Sequence, residues 1–85
     1  MKYYLYVLKS ESSDIYYVGI SNDVNRRVRF HNSVEKGYTS RYRPWRLVYH
    51  QEFPTKQDAQ KAEKKLKAWK SKRIVERVIL GEIKL

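Results

Sequence analysis

Residues 16–31, YYVGISNDVNRRVRFH, change hydrophobic period halfway along, and this change dictates a strand followed at once by a helix. Up to Ser21 the side chains alternate, with Ile15, Tyr17 and Gly19 pointing one way and Tyr16, Val18 and Ile20 the other. From Asp23 the spacing is helical: Ser21, Asn22 or Asp23 can cap the free N–H groups, and Val24 and Val28 lie four residues apart on the inner face. Arg27 lies beside those valines and has the same spacing from His31. A guanidinium aimed at a sheet is costly unless an anion meets it, either a carboxylate of the chain or a bound phosphate. The helix start adds partial positive charge close by, so the stretch points to an anion site.

The remaining elements follow from the same two periods. Residues 3–9 (YYLYVLK) alternate Tyr4, Tyr6 and Leu8 against Tyr3, Leu5 and Val7, a strand that the polar run SESSD closes as a hairpin onto residues 15–21. A helix is expected over 23–32. Residues 33–44 keep no period and read as a loop and contact surface, with Lys36, Arg41 and Arg43 interleaved with Tyr38 and Tyr42. Residues 45–53 form a third strand, placing Trp45, Leu47 and Tyr49 on one side and Arg46, Val48 and His50 on the other. Pro54 ends it, and Thr55 with Asp58 resembles a capping box. A helix over 56–70 carries Ala59, Ala62, Leu66 and Trp69 inward, with Glu63 the one acid among them. Ser71 caps a last helix over 72–80, with Ile74, Val75, Val78 and Ile79 inward, and Gly81 stops it. The fold class is α/β of the α+β kind: one domain over 1–85, a three-stranded antiparallel sheet flanked by three helices.

A chain of 85 residues buries only ~60–65% of its unfolded surface and has room for one modest core. Nineteen Lys and Arg against nine Asp and Glu leave a net charge of +10. Such an imbalance calls for a polyanionic partner, nucleic acid first, with an acidic protein or membrane surface as the lesser expectation. The absence of cysteine excludes disulfides and thiolate metal sites and fits a reducing compartment. No apolar run reaches the ~20 residues that span a bilayer, and the expected location is the cytoplasm.

Arg27 and Glu63, on two helices, are expected to be joined by Tyr6 and Tyr17 from adjacent strands. A lone carboxylate with open positions suits Mg²⁺ or Mn²⁺, which keep most of their waters and bind through one or two acids plus substrate phosphate. Arginine grips a phosphoryl group by a bidentate fork and neutralises charge that grows during attack. Together these groups suit phosphodiester hydrolysis. The plainer alternatives are that the tyrosines are ordinary sheet residues, that Arg27 pairs with Glu63 or Glu52, and that the lysines of the 56–70 helix are a solvated face.

The spacing of Tyr4-Leu5-Tyr6, Tyr17-Val18-Gly19, Arg27 ten residues after Tyr17 and a helical Glu63 resembles the GIY-YIG nuclease family, in its small stand-alone form. The likeness extends through KGYTSRYRPW and EKKLKAW. It implies a metal-dependent DNA endonuclease using one Mg²⁺ or Mn²⁺. Glu63 would be the metal ligand, Arg27 the phosphate-stabilising arginine and Tyr17 the group that activates or orients water. Tyr6 would be a second catalytic tyrosine, and His31 would orient Tyr17 or relay a proton. Gly19 would keep the second strand close to the substrate. Lys36, Tyr38, Arg41, Tyr42, Arg43 and Arg46 are the candidate nucleic-acid contacts. The first motif lacks its glycine, Val18 replaces isoleucine, and Ile20 stands where repair-type members often carry lysine. Larger relatives take specificity from a second domain, so a protein partner is an expected source of it here. The alternative function is a module on the same fold that binds nucleic acid and cleaves it slowly or never.

Overall fold

A computed structural model describes residues 2–33 and 37–85, with Tyr38 described by its backbone alone. Strands β1 (Tyr3–Ser10), β2 (Tyr16–Ser21) and β3 (Trp45–Phe53) form one sheet in the order β2-β1-β3, antiparallel throughout. Because β1 is central, both of its faces are covered: Leu5, Tyr6, Val7 and Leu8 are all buried. Alternation then produces two cores. Leu5 and Val7 pack with Val18, Ala62, Leu66 and Val78 on one face, and Tyr6 and Leu8 pack with Trp45, Tyr17, Val24 and Val28 on the other. The hairpin turn is organised by buried Ser10, whose Oγ accepts from the N–H groups of Ser12 and Ser13 and donates to the Tyr42 carbonyl at 2.7 Å.

Of the four helices among the described residues, three cover the two faces. The first, α1 (Val24–Ser33), lies on the Tyr6 face, while α3 (Lys56–Ala68) and α4 (Lys72–Ile79) supply Ala62, Leu66 and Val78 to the Leu5 face. Each of these three starts on a cap that the sequence supplies: the Asp23 carboxylate accepts from Arg26 N–H at 3.1 Å, Thr55 from Asp58 and Ser71 from Ile74. Gly81, at φ 81°, follows α4 and provides the left-handed residue that ends it. The fourth helix corrects the expectation of an unbroken loop before Pro44. Residues Tyr38–Arg41 make one helical turn, α2, because Gly37 at φ 91° and the Ser40 hydroxyl, bonded to the Gly37 carbonyl, start it. Trp69 also departs from its expected inward place. It stands 36% exposed at the end of α3, with the Lys65 ammonium over its ring.

The third strand departs from simple alternation. Its pairing with β1 slips between Val7 and Leu8, so that Val7 faces Tyr49 and Leu8 faces Leu47. The extra residue is a β-bulge, and a bulge reverses the facing of everything beyond it. Trp45 and Leu47 keep their expected face, but Tyr49 moves to the Leu5 core and His50 to the Tyr4 side, where the two rings stand 6.1 Å apart.

Two tyrosines of the Leu5 face hold their protons more tightly than usual. Burial raises the Tyr16 phenol, and so does its hydrogen bond to Glu76; burial alone raises Tyr49. The folded state therefore binds these protons more tightly than the unfolded chain. Their stabilisation is complete below the unfolded tyrosine value of about 10 and is lost as pH rises through the folded values. The urea midpoint of the wild type should fall between about pH 9 and 11, and the fall should be shallower in a Tyr16→Phe/Tyr49→Phe variant. Equal slopes would mean that folding leaves both phenols unperturbed.

Candidate active site on the edge strand

The Tyr6 face contains a buried aromatic cluster under α1. Tyr6 lies opposite Gly19 in the sheet, and a Cβ built on Gly19 would come within 2.6 Å of the phenol oxygen. Gly19 is thus required by the ring of Tyr6, which lies across the neighbouring strand, a different reason from the close substrate approach expected of it. The phenol and His31 Nε2 share a hydrogen bond of 3.0 Å, and both residues are almost wholly buried. His31 in turn meets Tyr17 edge-on at 4.7 Å, and Trp45 stands against the same tyrosine at 6.2 Å. Tyr17 alone of the three site residues Tyr6, Tyr17 and His31 is partly exposed. Hence Tyr6 and His31 sit beneath the surface as a support, and the hydrogen bond of His31 goes to Tyr6 rather than to Tyr17.

Arg27 lies on one flank of α1, its guanidinium 4.8 Å from the centre of the Phe30 ring. The helical repeat puts Asn25 and Asn32 on the opposite flank, and that flank faces β3: Asn32 donates to the Trp45 carbonyl and accepts from its N–H. The Arg27 flank therefore turns toward β2. On the other side of the sheet, Lys67 of α3 lines a cleft with Tyr16 and Val18 of β2, and Glu63, one turn earlier, pairs with Lys67 at 3.1 Å. The Glu63 flank of α3 thus also turns toward β2. Arg27 and Glu63 belong to opposite layers, on helix flanks that both turn toward the edge strand that carries Tyr17. Instead of pairing with Arg27, the two acids considered for that role meet lysines: Glu63 meets Lys67, and Glu52 meets Lys2.

The expected nucleic-acid contacts separate in three dimensions. Arg41 is exposed on α2. Arg43 is partly buried and donates from Nε to the His31 carbonyl at 2.7 Å, which fastens the end of α1. Tyr42 packs against the Tyr6 core. Arg46 pairs in register with Lys9, on the face away from Tyr6. Lys36 and the side chain of Tyr38 lie outside the described residues. The sequence reading missed the supports of the cluster: Asn32 gripping Trp45, and Trp45 Nε1 donating to the Thr39 carbonyl at 2.7 Å. An asparagine near a helix end ahead of a tryptophan was the one available signal.

With this geometry in place, comparison with known proteins is decisive. The family described as the GIY-YIG catalytic domain matches residues 2–76. The chain belongs to the GIY-YIG family. Its membership makes it a member of a nuclease family and implies a nucleic-acid substrate. Among similar proteins, a UPF0213 protein of Bacillus pumilus is 39% identical over 72 residues, spanning 84% of this chain and 72% of the relative. A UPF0213 protein of Streptococcus pneumoniae is 40% identical over 67 residues, spanning 78% and 67%. The solution NMR structure of a UPF0213 protein from Bacillus halodurans matches with a TM-score of 0.59 at 34% identity, covering 93% of this chain and 83% of that one. The expected GIY-YIG fold is thus the observed one, with α2 added. No helix among the described residues of this GIY-YIG domain is long and apolar enough to cross a membrane.

Gly19→Ala should force the Tyr6 ring out of place. The expected cost is about 1–3 kcal/mol, on the order of 5–20 °C in Tm for a domain of this size. Combining it with Tyr6→Leu should cost less than the sum of the single changes by at least about 0.5 kcal/mol. Strict additivity in a thermal-melt cycle would remove the contact as the reason for glycine.

Proposed function

We propose that this protein is a metal-dependent DNA endonuclease that hydrolyses phosphodiester bonds by attack of water. The observation that carries the reading is the GIY-YIG family match over residues 2–76; it is supported by Arg27 and Glu63 lying on helix flanks that turn toward β2, the strand of Tyr17. Tyr17 has a partly exposed phenol held by His31 and Trp45; it accepts a hydrogen bond from the attacking water and orients it. Arg27 binds the scissile phosphate and neutralises the charge that grows on its oxygens. Tyr6 and His31 are positioning residues: their shared hydrogen bond fixes the imidazole edge against which Tyr17 rests.

The donor set fits a hard divalent ion. Among the described residues no three His, Asp or Glu side chains gather, which is too few ligands for zinc but enough for Mg²⁺ or Mn²⁺, ions that keep their waters and need one or two acids plus substrate phosphate. Glu63 would hold it, and the ion when bound supplies Lewis-acid stabilisation of the phosphate. Lys67 occupies the carboxylate in this structure. A surface pair spaced i,i+4 is worth only about 0.3–0.5 kcal/mol, so it yields readily to a doubly charged ion.

The test is cleavage of supercoiled, single-stranded and branched DNA with Mg²⁺ or Mn²⁺. Wild type should cut at least one of these substrates, and Arg27→Ala and Glu63→Ala should each lower the rate by about 100-fold or more. Salt-sensitive binding with no cutting by wild type would replace the enzyme with a binding module. Cutting that survives both substitutions would place the chemistry elsewhere.

A further inference from the structure

We propose that the cleft between the start of α1 and the second half of β3 receives one unpaired nucleobase of the substrate, next to the strand being cut. The proposal rests on the nuclease reading and adds a subsite to it. The cleft has a volume of about 290 Å³ and is lined by Tyr4, Leu47 and His50 of the sheet, by Val24 and Asn25 of α1 and by Asn22 and Asp23 just before it. That volume lies at the small end of ligand sites and suits a single nucleoside.

Three observations identify the occupant. The first is the bulge in β3, which moves His50 out of its expected facing and brings its ring to 6.1 Å from that of Tyr4 at an interplanar angle of 36°. The Tyr4 hydroxyl is tied to Glu52 at 3.3 Å, leaving the ring faces as its recognition surface. Two adjacent aromatic faces, one exposed and one partly buried, are the surface on which unstacked bases lie. The second concerns charge. The helix start is not open to a phosphate, because the Asp23 carboxylate already accepts from Arg26 N–H. A carboxylate in the lining repels a phosphate and accepts from exocyclic amines, so the nucleotide enters base first. The third is location. The cleft sits on the Asn25 flank of α1, and Arg27 sits on the other. The two are separated by about 10 Å, roughly a helix diameter and about three nucleotides of a strand at 3.4 Å each. A strand crossing the first turns of α1 thus places a phosphate at Arg27 and a base against the faces of Tyr4 and His50.

Such a subsite favours DNA with unpaired bases over intact duplex. The experiment is fluorescence anisotropy in EDTA, which separates binding from cutting, with a fully paired hairpin and the same hairpin carrying a three-nucleotide bulge. Wild type should bind the bulged DNA about tenfold more tightly. His50→Ala, which removes an exposed ring, and Tyr4→Leu should each reduce that preference to about twofold or less while leaving the affinity for paired DNA within about twofold. Equal affinity of wild type for the two DNAs overturns the subsite, and so does a preference that survives both substitutions. If neither DNA binds, the nuclease reading falls and takes the subsite with it.

Discussion

A phenol ring can lie across a neighbouring strand only where that strand gives up a side chain. The pairing of Tyr6 with Gly19 meets this requirement, and the rest of the Tyr6 face is built on it. With the ring accommodated, the hydroxyl reaches His31 from below, His31 is fixed beneath α1, and its edge fixes Tyr17. The polar groups of the face are thus organised by a contact that is itself purely steric. The hydrogen bond between Tyr6 and His31 offsets the desolvation of the phenol and of Nε2 in a small core.

The sheet also solves a problem of charge. With 19 basic residues against 9 acidic ones, the chain would concentrate repulsion if its cations shared one surface. Instead α1 and α3 lie on opposite faces of the sheet. In the proposed function a substrate phosphate at the β2 edge meets groups from both layers, while the lysines elsewhere on α3 and α4 remain solvated or meet acids such as Asp14, which pairs with both Lys9 and Lys72.

Much of this was legible from period alone. Alternation placed Tyr6 opposite Leu5 and Val7 within one strand and Tyr17 with Gly19 opposite Val18 within the next, and helical spacing put Val24 and Val28 inward with Arg27 on their flank. These are local consequences of backbone geometry and need no partner. The features that escaped depend on contacts distant in sequence. The bulge that reverses Tyr49 and His50 is a matter of register between two strands, invisible in either one. The diversion of Arg43 to the His31 carbonyl depends on where the chain returns after α2. Trp69 lies on the inner stripe of its helix, but the helix ends at Ala68, where the sheet no longer covers it.

The attachments of α1 have a mechanical consequence. At one end the Ser21–Asp23 turn joins it to β2 through paired hydrogen bonds, and at the other Arg43 and Asn32 tie it to the approach to β3. The helix is a beam supported at both ends, with Arg27 near midspan, about 6 Å along the axis from His31. Its Cα is therefore held from both ends of the helix, and its guanidinium lies over the Phe30 ring. In the proposed function, closing on a phosphate then needs a turn of this one side chain and no movement of the backbone.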